Sequence, residues 1–200
     1  MKRTIGLTGA MLLCLLTGCG AKGGGPVLGP AVPNIKANAN IAFMGDSITY
    51  LWQLPTSNLG VGGNPTQLMR ERFAKEVLGH GYKFVVILGG TNDMRNLSNS
   101  VDSEVTEAAA NLEAMAEEAA DAKIHVVLCE VPPLIFEDDR IIPLNAAIAF
   151  IAKAHSYMLV DYHTPMEGHP EFFKPDGIHP NDQGYSVMQV ALTKVLNVEY

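Results

Sequence analysis

Ser47 sits in the stretch Gly45-Asp46-Ser47, directly after the apolar run Ile41–Met44, which reads as a short buried strand ended by Gly45. Gly, Asp and Ser are turn residues for backbone reasons alone. A serine just past the carboxyl end of a strand is also where open α/β sheets place their reactive groups. A nucleophilic serine needs a base and an orienter for that base. His179 lies three residues after Asp176 in PDGIHPND, a Gly- and Pro-containing loop ahead of the last helical segment. One turn of chain brings both side chains to the same side. The carboxylate then accepts a hydrogen bond from one ring nitrogen and leaves the other to take the serine proton, the orienting logic of a Ser-His-Asp triad.

Such chemistry also needs donors aimed at a developing oxyanion. The stretch NLGVGGNPT offers Gly60, Gly62 and Gly63, whose backbone amides can approach a ligand without an intervening side chain. LGGTND offers the neutral two-proton amide of Asn92. The other histidines, His80, His125, His155, His163 and His169, have plain readings as helix-end, strand or loop residues. Their spacing to Cys or acidic residues matches no compact metal site, so no metal is expected.

The elements that must position these residues alternate along the chain. Ile41–Met44, Ser57–Val61, Lys83–Leu88, Lys123–Val131 and Tyr157–Tyr162 read as five short strands. The third and fourth are near-continuous apolar runs rich in Val and Ile, the pattern of strands buried on both faces of a parallel sheet. Between them, Met69, Phe73 and Val77 recur at helical spacing, as do Val105, Leu112 and Met115, with Ser103 or Asp102 as the expected cap of that second helix. Further helices are expected from Pro143 and from Asn181, the latter as N-cap. The alternation predicts a three-layer α/β/α sandwich on a mainly parallel, five-stranded sheet. GDS, the glycine loop and GGTND each follow a strand, at one carboxyl edge of that sheet.

GDSIT, NLGVGGNPT, GGTND and DGIHPND, in that order, resemble the four sequence blocks of the SGNH, or GDSL, hydrolases. The resemblance runs from about Ile41 to the last helix. It implies a flavodoxin-like fold and esterase or lipase chemistry without metal or cofactor. Carried over by position, Ser47 resembles the nucleophile and His179 and Asp176 the base and its orienter. Gly63 resembles the backbone oxyanion donor, with Gly62 adjoining it, and Asn92 the side-chain donor. There is no G-x-S-x-G elbow, so the larger α/β-hydrolase pattern is not indicated.

Residues 1–18 read as a leader: Lys2 and Arg3 precede an uncharged apolar core from about Ile5 to Leu16, too short to span a membrane. LTGC, ending at Cys19, resembles the lipobox of bacterial lipoproteins, in which the cysteine is lipidated after cleavage. Eight of the twenty residues 20–39 are Gly or Pro, as in a tether, so the folded domain is expected over 40–200. Cys129 is then the one thiol of the domain, expected to be buried and unreactive, and the fold stands on its core without disulfides. A formal net charge of −7 with no basic stripe excludes nucleic acid as a natural partner.

The expectation is therefore a lipid-anchored serine esterase of the bacterial envelope acting on short-chain or O-acetyl esters of small molecules or glycans. A lysophospholipase or thioesterase-like hydrolase would use the same chemistry, and a non-catalytic binding lipoprotein would use only the sheet edge. Trp52 and Leu54, and Ile135, Phe136, Phe172 and Phe173, either rim the site or pack in the core.

Overall fold

The computed structural model describes residues 40–54, 57–136 and 138–196; the leader, Cys19 and the tether lie outside the described residues. Five strands pair in parallel: β1 (Ile41–Gly45), β2 (Ser57–Gly60), β3 (Phe84–Leu88), β4 (His125–Cys129) and β5 (Met158–Val160). Their order across the sheet is β2-β1-β3-β4-β5. Every residue of β1 and β3 is buried, because both are interior strands covered on both faces. The apolar composition read from the sequence follows from that double burial. The later strands are shorter than the apolar runs, and β4 loses two residues at each end, whereas β1 gains Gly45, which pairs with Gly60 and Leu88.

The helices are α1 (Ser47–Leu51), α2 (Thr66–Val77), α3 (Thr91–Met94), α4 (Val101–Asp121), α5 (Asp138–His155) and α6 (Asp182–Leu196), with a 3-10 turn at Pro170–Phe172. Right-handed crossovers place the β1–β2 connection on one face and the connections among β2, β3, β4 and β5 on the other. Accordingly α4 packs against both α2 and α5. On the opposite face α6 meets α1, where the Tyr185 hydroxyl donates to the Ile48 carbonyl at 2.9 Å. Trp52 closes this face, buried edge-on against Phe43 and Tyr162 and stacked on Tyr185. It is a core residue, not part of a rim.

Two expectations at helix ends are corrected. The N-cap of α4 is Ser100, whose hydroxyl accepts from the Ser103 amide at 3.2 Å, rather than Ser103 or Asp102. Helix α5 begins at Asp138, five residues before Pro143. Ile141 and Leu144 are both fully buried, so the turn ahead of the proline is drawn onto the core and coils with it. Asn181 caps α6 as expected, its side-chain oxygen accepting from the Gln183 and Gly184 amides.

The chain leaves β1 for β2 on one side and returns to β3 on the other. The strand order thus reverses between β1 and β3, which opens a crevice at their carboxyl ends, the place where such sheets bind ligands. Helix α1 sits directly on that edge. A Cβ built on Gly45 would lie 2.0 Å from Thr49 Oγ1, and one on Gly60 would lie 2.1 Å from the Tyr50 nitrogen. Gly45 and Gly60 are register partners in the β1–β2 ladder. Only glycine at both positions lets the short helix come this close to the strand ends.

Candidate active site

Ser47 is the first residue of α1, and Asp46 is its N-cap. The Asp46 carboxylate accepts from the Ile48 amide at 2.8 Å, which fixes the turn that holds Ser47. The Ser47 amide belongs to the first turn, whose N–H groups have no partner within the helix. It therefore points off the strand end with the side chain.

The structure brings His179, 132 residues further along the chain, to Ser47 together with Asp176. His179 Nε2 lies 2.9 Å from Ser47 Oγ, and Nδ1 lies 2.8 Å from Asp176 Oδ2. The Asp176 Oδ1 atom accepts from the amides of Ile178 and His179, both at 2.9 Å. Partial burial pushes the Asp176 carboxyl up, but the amide and ring of His179 and the Ile178 amide outweigh it and hold it at about 2. The carboxylate is thus ionised at neutral pH. Since a carboxylate only accepts, the proton of His179 resides on Nδ1, leaving Nε2 to accept from Ser47. The loop itself is pinned from outside, with the Ile135 amide donating to the Gly177 carbonyl at 3.0 Å.

Across the β1/β3 crevice, Val61–Asn64 form a turn closed by the Asn64 amide on the Val61 carbonyl. Gly63 occupies its third position with φ of 77°, a conformation that turn type demands and that side-chain-bearing residues resist. A Cβ there would meet nothing within 4 Å, so the requirement comes from the backbone angle and not from space. Asn92 lies in α3, its Nδ2 donating to the Asn64 carbonyl at 3.0 Å and lying 3.4 Å from Asp46 Oδ2. The second contact is long enough to yield to a better acceptor. Gly63 and Asn92 line one cavity together; Gly62 does not contribute to it.

Four residues that the sequence reading did not single out hold this arrangement. Asp93 is buried and accepts from the Thr66 hydroxyl at 2.6 Å and from the Thr66 amide. The N-cap of α2 is Pro65, which has no side-chain cap bond, so Asp93 caps that helix from α3 and ties the Gly63 loop to the Asn92 turn. Arg72 is the second tie. Its guanidinium donates to the Gly45 carbonyl at 2.8 Å, the Leu59 carbonyl at 2.7 Å and the Asn64 side chain at 3.0 Å. Asn64 in turn holds Asn92. Asp46 is fully buried, and burial pushes its carboxyl up to about 6 against the pull of the Ile48 amide. The available signal for Arg72 was its place one residue before Phe73, at the edge of the buried stripe of α2.

Four of the remaining histidines have partners of their own away from Ser47. His80 bonds the Lys75 carbonyl, His169 pairs with Glu171, and His125 stacks on Phe84 at the far end of β3 and β4. His155 bonds Glu113 on the surface of α4 and α5; with Glu117 these place ligand atoms within 4.8 Å of one another. Cys129 is buried, and burial pushes its thiol far up, as fits an inert core residue. Of the aromatic candidates, Phe173 is buried, while Phe136 is largely exposed beside Gly177. Among the described residues no helix is long and apolar enough to cross a membrane.

The pattern of the GDSL-like lipase/acylhydrolase family matches residues 43–187. Among solved structures, a GDSL-like lipase from Bacteroides thetaiotaomicron is 27% identical, with a TM-score of 0.70 over 80% of this chain and 88% of that one. The lipase/acylhydrolase from Enterococcus faecalis is 26% identical, with a TM-score of 0.65 over 77% of this chain and 93% of that one. An acetylxylan esterase from Geobacillus stearothermophilus shares the fold at 17% identity, with a TM-score of 0.69 over 83% of this chain and 97% of that one. No curated protein matches the sequence.

Proposed function

Since the chain belongs to the GDSL-like lipase/acylhydrolase family and is an ester-hydrolysing enzyme, we propose that it is a serine esterase that cleaves short-chain or O-acetyl esters through an acyl-enzyme on Ser47. The observation that carries this reading is the hydrogen-bonded chain from Asp176 through His179 to Ser47, assembled at the β1/β3 crevice. In the first half-reaction Ser47 Oγ bonds to the ester carbonyl carbon as its proton passes to His179 Nε2. The carbonyl oxygen becomes an oxyanion, held by the amides of Ser47 and Gly63 and the side chain of Asn92. Asp176, ionised at neutral pH, stabilises the imidazolium without taking its proton. Collapse of the tetrahedral intermediate breaks the bond to the alcohol oxygen, which leaves with the proton from Nε2. Water then gives its proton to Nε2 as its oxygen attacks the acyl-serine, and the acid departs with Ser47 restored.

The test is covalent as well as kinetic. A fluorophosphonate should label Ser47 alone, located by peptide mass, and Ser47→Ala should abolish both labelling and turnover of 4-nitrophenyl acetate with thermal unfolding nearly unchanged. Retained turnover in the purified variant would overturn the assignment. We further propose, from LTGC and the tether, that Cys19 carries a lipid anchoring the enzyme in the bacterial envelope.

A further inference from the structure

Two contiguous cavities, of about 390 and about 530 Å³, run away from the oxyanion donors along the first turns of α2 and α4. The first is walled by Gly63, Asn92, Arg95, Asn96 and Glu104, and by neither Ser47 nor His179. The second shares Asn96 and Glu104 and continues to Gln67, Asn99 and Glu107. No large apolar side chain lines either one; Pro65 and Ala110 are the least polar residues present. A hydrocarbon chain would gain little here, because burial is worth about 0.8 kcal/mol per methylene only against apolar neighbours. Amide, carboxylate and guanidinium groups match hydroxyl groups instead, offering donors and acceptors side by side.

The groove is also held in shape before any ligand arrives. Glu104 is buried and accepts from the side-chain amides of both Asn96 and Asn99 at 2.7 Å. Arg140, reaching over from α5, donates to the carbonyls of Met94 and Asn96. The loop between α3 and α4 is thus fastened from two sides, which lowers the ordering cost of binding. Its charge is informative as well. Three carboxylates, Asp93, Glu104 and Glu107, line the groove against one lining guanidinium, Arg95, while Arg70 and Arg140 reach it only through Asn111 and Asn96, so the lining favours neutral groups over phosphate and carboxylate.

We propose that this groove binds the neutral sugar residues of the alcohol half of the substrate, making the preferred ester an O-acetylated neutral oligosaccharide. The proposal rests on the esterase reading for its kinetic consequence but not for the binding itself. Gln67, Arg95 and Glu107 are exposed and outside the reaction machinery, so the triple variant Gln67→Ala, Arg95→Ala, Glu107→Ala tests it. For partially O-acetylated xylotriose, kcat/KM should fall at least tenfold, mainly through KM, while 4-nitrophenyl acetate stays within twofold. Equal loss on both substrates, or no loss on either, would overturn the proposal.

Binding is read independently by titrating the Ser47→Ala protein with unacetylated xylotriose and following backbone amide resonances. Shifts should concentrate at residues 66–67 and 95–107, and a uronic-acid trisaccharide should bind more weakly. Shifts elsewhere, an absence of shifts, or tighter binding of the anionic sugar would overturn the groove assignment. A protein that binds xylotriose there yet hydrolyses no ester would instead overturn the esterase reading and leave the groove standing.

Discussion

Replacing Asp46 by asparagine separates what this residue does for the fold from what its charge does for the site. The side-chain oxygen that accepts from the Ile48 amide survives the change, and asparagine caps helices as well as aspartate does. What is removed is a buried carboxyl pushed from its ordinary 3.8 to about 6. The folded protein therefore holds the Asp46 proton more tightly than the unfolded chain does. Between about pH 4 and pH 6 the folded state is the one carrying the extra proton, so stability falls as pH rises through that window. A shift of about two pKa units corresponds to a loss on the order of 3 kcal/mol once Asp46 is ionised.

Asp46→Asn escapes that loss. Its stability relative to the parent should improve between pH 4.5 and pH 7.5 by about 2 kcal/mol, the rest of the loss having already occurred below pH 4.5, measured by urea unfolding at both values. The Asn92 contact at 3.4 Å strengthens in the parent as Asp46 ionises, which offsets a small part of the gain. Glu130, which burial also pushes up and which both proteins share, cancels in the comparison, while the charge of Asp93 helps push Asp46 up and is already part of its shift. The stabilised variant should nevertheless be a poorer enzyme. The ionised carboxylate attracts the charge on His179 that forms during proton transfer, so kcat should drop with KM little changed. A stability difference that is the same at both pH values would refute the claim that burial controls this group.

Arg72→Leu should cost about 3 kcal/mol of stability, since the Gly45 and Leu59 carbonyls and the Asn64 side chain lose a charged donor. Because Asn64 holds Asn92, kcat should fall more than KM rises; an unchanged kcat would show that Arg72 serves the fold alone. Acyl preference should favour acetyl and butyryl over dodecanoyl esters, because α4 is one unbroken helix and offers no flap to cover a long acyl chain. Higher kcat/KM for dodecanoyl esters, or a jump in rate on micelles, would contradict this. Cys19→Ser should release the protein from the membrane fraction or block its maturation, and cleavage elsewhere with an unmodified Cys19, seen by mass spectrometry, would refute the anchor.

The sheet was legible because its strands are buried on both faces, so FVVIL in β3 carries no polar residue to obscure the run. The ends were less so, since Lys123 and Tyr162 extend an apolar run without taking part in a ladder. Helices α1 and α3, of five and four residues, are too short for any periodicity to show; they form because strand ends and tertiary contacts hold them. The cap of α4 was ambiguous for a related reason. Ser100, Asp102 and Ser103 are all good caps, and the choice falls to where Glu104 grips Asn96 and Asn99 and so starts the helix.

The site divides along the same line. Ser47, Asn92, Asp176 and His179 stand out because residue type and place after a strand or before a helix already imply chemistry. Their supports do not, because each works across a distance the sequence hides, as when Arg72 reaches Gly45 over 27 positions. One regularity was nevertheless present in plain view. Both GDS and TND pair a residue facing the crevice with an adjacent aspartate, and both aspartates are buried, Asp46 fully and Asp93 at 6% exposure. On a tight turn, neighbouring side chains point in different directions, so the residue beside an outward-facing one is available to anchor the turn. Asp46 fastens the turn bearing Ser47 to its own helix, and Asp93 fastens the turn bearing Asn92 to α2. A buried acid next to a polar residue at a strand end therefore carries two signals: the acid marks a turn that must not move, and its neighbour marks what that turn is there to hold still.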